Sequence, residues 1–126
     1  MIRALARNPG KNHKMSIVKQ DNAEKEKIGK GRERYLTHTD TLMMVVIDLS
    51  DGPTQEPDPP HSHPHEQVSY VAAGRIMVHI GNTEQELGPG DMFTVSPDVE
   101  HTIMLLTTHV RLIDCFTPLR EDLLRP

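Results

Sequence analysis

The chain has 126 residues, 36% of them hydrophobic and 25% charged, with a net charge of −4 at neutral pH. That length holds one domain with a modest core, and two Tyr and two Phe supply all its aromatic bulk. The charge excludes a broad nucleic-acid surface, and the single cysteine, Cys115, excludes both an internal disulfide and a zinc site of paired thiolates. No apolar run approaches the roughly 18 residues of a membrane span. The expectation is a small cytoplasmic domain without nucleic-acid or membrane partners, and its unusual feature is eight histidines.

Residues 1–20 carry Arg3, Arg7, Lys11, Lys14 and Lys19, and no acid precedes Asp21. Such a start reads either as an organelle transit segment or as a loose tail upstream of a true start at Met15. The Pro9-Gly10 break and the lack of periodicity favour the tail. Residues 1–27 are therefore read as a loosely ordered extension, with one weakly patterned helical stretch at 22–27, and 28–126 as the domain.

From residue 28 the pattern is short apolar runs divided by turn residues. Strands are expected at 33–38, 42–49, 67–73, 75–80, 84–87, 92–95, 102–106 and 110–116, an all-β sandwich or barrel. The run LMMVVIDL at 42–49 is apolar at both parities, as a strand buried on both faces would be. Half of the ten prolines lie between Pro53 and Pro64. Proline lacks a ladder donor, so this stretch is a stiff extended loop that delivers the chain to the next strand. Exposed strand edges in so small a barrel predict a homodimer.

The loop ends in His61-Ser-His63-Pro-His65-Glu-Gln67. In an extended chain His61, His63, His65 and Gln67 share one face, and Glu66, Val68 and Tyr70 the other. Two imidazoles two residues apart and an amide oxygen four further on can close around one ion from a single edge. His101, 34 residues after Gln67 in the chain and beyond a Gly-Pro-Gly-Asp turn, can be brought opposite by two hairpins. Three nitrogens and one oxygen suit a divalent transition metal (Ni, Zn, Fe, Co or Mn) better than Mg or Ca. Read alone, HSHPH is also compatible with a solvated histidine-rich loop. His13, His38, His79 and His109 are read as incidental, and His65 as a ligand, a supporting group or a substrate contact.

At these residues the chain resembles the cupins. The first cupin motif is matched by His61, His63, Gln67 in the place of the usual Glu, and Gly74; the second by Gly90-Asp91, Pro97 and His101. Asp98 stands where Gly is common and Ser96 where Pro is common. The resemblance spans about residues 33–120 and implies a small cupin β-barrel, or jelly roll, with a metal inside. LMMV at 42–45, HSHPHEQ, the Gly-Pro-Gly-Asp turn and Asp114-Cys-Phe116-Thr-Pro-Leu-Arg120-Glu-Asp together are similar to the KdgF-type cupins of pectin and alginate breakdown. That similarity implies an enzyme that converts cyclic 4,5-unsaturated uronate monosaccharides to linear ketonised sugar acids. It places catalytic importance on Asp114 and substrate contact on Phe116 and Arg120. Asp114 and Phe116 share a parity, which allows both to face the cavity. The plainer reading pairs Asp114 with Arg111 or Arg120 and leaves Phe116 in the core. A sugar-acid-binding barrel without catalysis and a metal-dependent dioxygenase are the competing functions, since one barrel hosts many activities. The neutral Gln67 leaves the ion its full positive charge, which favours Lewis-acid work over redox work.

Overall fold

The computed structural model describes residues 15–124; the acid-free start at 1–14 lies outside the described residues. The strands are β1 (Glu26–Gly29), β2 (Arg32–His38), β3 (Met43–Leu49), β4 (Glu66–Ala73), β5 (Ile76–Ile80), β6 (Thr83–Leu87), β7 (Met92–Val95), β8 (His101–Leu105) and β9 (Val110–Thr117). All eight expected strands are present, their ends displaced by at most one residue. The helix expected at 22–27 is not: Gln20–Asn22 make one 3-10 turn, and Glu26 already begins β1. A local hairpin overrides the weak helical pattern. Gly31 takes φ +74°, a left-handed conformation that glycine adopts without strain. The chain then folds back so that Glu26 lies opposite Arg34 and pairs with its guanidinium at 3.0 Å.

The strands form two antiparallel sheets, one in the order β1-β2-β3-β9-β4-β7 and one in the order β6-β5-β8. Together they make a small β-barrel of the jelly-roll kind, in which sequence-distant strands become neighbours. In the β4–β9 ladder Gln67 lies opposite Phe116, and Ser69 opposite Asp114. Alternation sets what faces inward: along β9, Val110, Leu112, Asp114 and Phe116 are buried, and the residues between them are only half-buried. Leu49, Val71, Ile76, Val78, Leu105, Val110 and Leu112 form one buried apolar cluster, and Met43, Val45 and Phe116 a smaller one. Each such side chain contributes about 1.5–3 kcal/mol by leaving water.

β3 departs from its expected two-sided burial. It is an inner strand, between β2 and β9, yet Met44 on its outward face is 47% exposed and the preceding Leu42 53%. An antiparallel sheet needs only one covered face, and on the outer face there the preceding segment reaches only the polar neighbours, Ser16 bonding Thr37 opposite Met44 and Gln20 bonding Arg111. Among the described residues no helix is long and apolar enough to cross a membrane.

The proline-rich loop runs extended beside β8. Thr54 donates its N–H to the Leu105 carbonyl and Asp58 to that of Ile103, while His61 and His101 exchange both backbone hydrogen bonds. The unpaired prolines thus fall between donors that the neighbouring strand uses. At the far end of β4, Gly74 has φ +81°, and a Cβ there would collide with the His109 carbonyl oxygen. This close approach accounts for the glycine that ends the first motif.

Candidate metal centre

His61 and His101 face each other because their backbones form an isolated bridge at the mouth of the barrel. His63, two residues on, is buried, and each of the three imidazoles offers a nitrogen within 4.8 Å of the other two. The rings of His61 and His101 lie 4.3 Å apart, and those of His63 and His101 4.9 Å. Backbone carbonyls fix two of the rings. His63 Nδ1 donates to the His65 carbonyl at 3.1 Å, and His101 Nδ1 to the Val99 carbonyl at 2.9 Å. Both therefore present Nε2 as a bare lone pair. The turn that positions Val99 contains Asp98 at φ +64°, which explains why glycine is usual at that place in the motif.

The donor set behaves as if built for a cation. His101 Nε2 is buried without a hydrogen-bond partner. The buried Gln67 turns its Oε1 to 2.9 Å from His63 Nε2, and in the neutral, ligating ring, whose one hydrogen is on Nδ1, this contact sets two electron-pair donors together. A metal ion resolves both mismatches, and His61, His63, Gln67 and His101 can hold one through three imidazole nitrogens and one amide oxygen. Burial lowers the pKa of His61, and the charges of His101, His63 and Arg120 add to the effect. Burial likewise lowers that of His101, with the carbonyl of Val99 opposing. Both shifts favour the neutral, ligating form.

Asp114 lies behind this set on β9, its carboxylate accepting the Ser69 hydroxyl at 2.6 Å. Ser69 in turn accepts the Gln67 side-chain N–H at 2.9 Å. An unbroken line of polar side chains thus joins His63 to Asp114 through the barrel interior. Burial pushes the Asp114 carboxyl up to about 6, against the opposing effects of the Ser69 bond and of the charge on Arg120. That carboxyl therefore titrates where a proton-transfer group at neutral pH is useful. Arg111, one partner in the plainer reading, instead forks onto Asp48 with bonds of 3.0 and 2.9 Å.

Phe116 belongs to the core and also lines the cavity. It is 3% exposed and packs with Met43 and Val45. One side of its ring meets His63 edge-on at 5.5 Å, and the Arg120 guanidinium lies 5.0 Å from its centroid. Arg120 is also held by Asp122 at 2.8 Å. His61, Gln67, His101, Asp114, Phe116 and Arg120 all line one cavity of about 300 Å³ between the sheets. His65 contributes through its carbonyl, which orients His63. Ser69 was not singled out from the sequence, although its parity with Gln67 marks it as a polar residue on an inward face. Arg32 and Arg34 of β2 also line the cavity without having been anticipated.

Comparison with known proteins agrees with this geometry. The cupin domain family matches residues 50–115. The pectin degradation protein KdgF of Dickeya dadantii is 35% identical over 101 residues, which are 79% of this chain and 89% of that protein. The structure of KdgF from a Halomonas species superposes with a TM-score of 0.79 at 28% identity, covering 87% of this chain and 99% of that one. An RmlC-like cupin from Shewanella frigidimarina superposes with a TM-score of 0.78 at 34% identity, covering 88% of this chain and 97% of that one. The two-motif histidine pattern, the double-sheet barrel and these likenesses lead to one assignment: the chain belongs to the cupin family and resembles its KdgF-type members.

Proposed function

We propose that this chain converts cyclic 4,5-unsaturated uronate monosaccharides, released from pectin or alginate by lyases, to linear ketonised sugar acids. His61, His63, Gln67 and His101 hold the divalent transition metal, Asp114 moves the proton, and Phe116 and Arg120 contact the substrate. The observation that carries this reading is the buried line from His63 through Gln67 and Ser69 to Asp114, which ends in the cavity lined by Arg120. The likeness to a pectin degradation protein supplies the substrate class.

A metal bound at the four donors supplies Lewis-acid polarisation of the sugar's hydroxyl and ring oxygens. Arg120 grips the substrate carboxylate with a two-pronged charge-assisted hydrogen bond. The guanidinium already lies over the Phe116 ring, 5.0 Å from its centroid, which limits where it can move. Asp114, as carboxylate, takes the proton from the hydroxyl of the hemiacetal carbon. That carbon becomes an aldehyde as its bond to the ring oxygen breaks, and the bonding pair stays on the ring oxygen as an enolate. Return of a proton to C4 turns the enolate into the C5 ketone. The sum is an isomerisation with no net oxidation, so dioxygen is not consumed. The outward Leu42, Met44, Val68, Tyr70 and Met92, all exposed, support a homodimer as the working unit.

The test incubates metal-loaded protein with 4,5-unsaturated galacturonate and follows the absorbance of the conjugated double bond, with and without oxygen. Loss of absorbance in both conditions is expected. Saturable binding without loss identifies a sugar-acid-binding barrel instead, and oxygen consumption with another substrate a dioxygenase. Asp114→Asn should abolish turnover and leave metal content intact; retained turnover removes Asp114 from the reaction.

A further inference from the structure

We propose that Ser69 is a positioning residue that decides which end of the Gln67 side chain faces the metal. The inference rests on the metal-centre reading above and extends it to a residue outside the ligand set. Ser69 is 1% exposed, so its hydroxyl deals only with protein groups. Its one hydrogen is committed to Asp114 at 2.6 Å, a length typical of a bond to a carboxylate. The oxygen can then only accept, and the group it meets at 2.9 Å must be the amide N–H of Gln67. An amide held by its nitrogen presents its oxygen on the other side, where His63 Nε2 stands at 2.9 Å.

This orientation is unfavourable without a cation. In the neutral ring that can ligate a metal, His63 Nδ1 carries the one hydrogen and gives it to the His65 carbonyl at 3.1 Å, so Nε2 and Oε1 oppose lone pair to lone pair. Turning the amide over would convert that contact into a good N–H···N hydrogen bond and remove Oε1 from the ligand set. The Ser69 hydroxyl prevents the turn, because a turned amide would set its oxygen against a hydroxyl oxygen whose hydrogen already points at Asp114. Ser69 thus keeps four donors convergent, and without it the site relaxes to three imidazoles and a self-satisfied glutamine.

Calorimetric titration with Co²⁺, together with the visible absorption of the loaded protein, tests this in wild type, Ser69→Ala, Gln67→Ala and the double variant. Supporting groups of this kind change metal affinity by about 10- to 100-fold, and a loss in that range is expected for Ser69→Ala. Its Co²⁺ spectrum should resemble that of Gln67→Ala. In the Gln67→Ala background the serine change should alter affinity by less than about twofold, because no amide remains to be turned. Thermal melting of the four metal-free proteins separates a local effect from loss of fold; the serine change removes one atom and adds no volume. Wild-type affinity and spectrum in Ser69→Ala overturn the role of Ser69 alone. So does a serine effect that persists undiminished in the Gln67→Ala background. Failure of the wild-type protein to bind Co²⁺ saturably overturns the metal centre itself, and this inference with it.

Discussion

The barrel interior has two halves built on the same strands. Along β4 the inward residues run Gln67, Ser69 and then Val71; along β9 they run Val110 and Leu112 and then Asp114. One half is dry, with Val71, Ile76, Val78, Leu105, Val110 and Leu112 packed on one another. In the other half His63, Gln67, Ser69, His101 and Asp114 are buried as well. The β4–β9 ladder runs in register from Glu66 through the polar half to Val71, and shifts register only between Val71 and Ala73, at the dry end. What differs is the use made of burial. In the dry half it stabilises the fold, whereas in the polar half it strips water from groups that must then satisfy one another or a ligand.

The largest expected effect on stability lies in the dry half. Leu105 is 1% exposed within its cluster, and Leu105→Ala should destabilise the protein by about 2–5 kcal/mol in urea unfolding. Co²⁺ affinity per folded molecule should stay at the wild-type level. An intact unfolding midpoint with weakened metal binding would show that the two halves do not divide labour in this way.

The polar half should show the opposite sign. Burial raises the Asp114 carboxyl from 3.8 to about 6 in the folded chain. Between those values the native state holds a proton that the unfolded chain has already lost. Stability therefore falls as pH rises through that window and stays lower above it. The shift of about two units corresponds to about 3 kcal/mol. In the presence of a chelator, Asp114→Asn should match wild type near pH 4 and exceed it by an amount approaching that figure at pH 8. A difference between the two proteins that does not change with pH would contradict the burial argument.

The same contrast explains what could be read without a structure. Strand order of hydrophobicity follows from period-2 burial, which is why the dry half and eight strands were legible. Parity within HSHPHEQ aligns His61, His63 and Gln67, the turns before β8 allow His101 to face them, and the resemblance of the tail points to Asp114. β1 was not legible because four residues with one apolar member carry no period, and its pairing depends on a glycine turn and an ion pair. Ser69 escaped for a different reason. A lone serine between Val68 and Tyr70 has no spacing of its own, and its role appears only when β9 sets Asp114 across from it. Outward Met44 shows that apolar character at both parities does not by itself imply a covering layer.

The smallest effect concerns the strap that joins the halves. Arg32 on β2 forks onto Asp58 at 2.8 and 3.2 Å and reaches Asp51 at 2.9 Å, fastening the proline-rich loop that ends in His61. These groups are partly solvated, with side chains 20%, 37% and 32% exposed, so screening limits their joint worth to about 1 kcal/mol. Arg32→Gln should lower stability by no more than that. Its more telling consequence is positional, because Asp58 donates to β8 only three residues before His61 meets His101. Loosening the loop should weaken Co²⁺ binding by about threefold while leaving the spectrum of the loaded protein unchanged, since the four donors remain. The Arg75–Glu86 pair, 48% exposed on each side and involving no side chain of the loop, is the control, and Glu86→Gln should change neither quantity. Equal effects from the two variants would mean that Arg32 contributes only charge, and that the loop holds His61 in place through its backbone bonds to β8 alone.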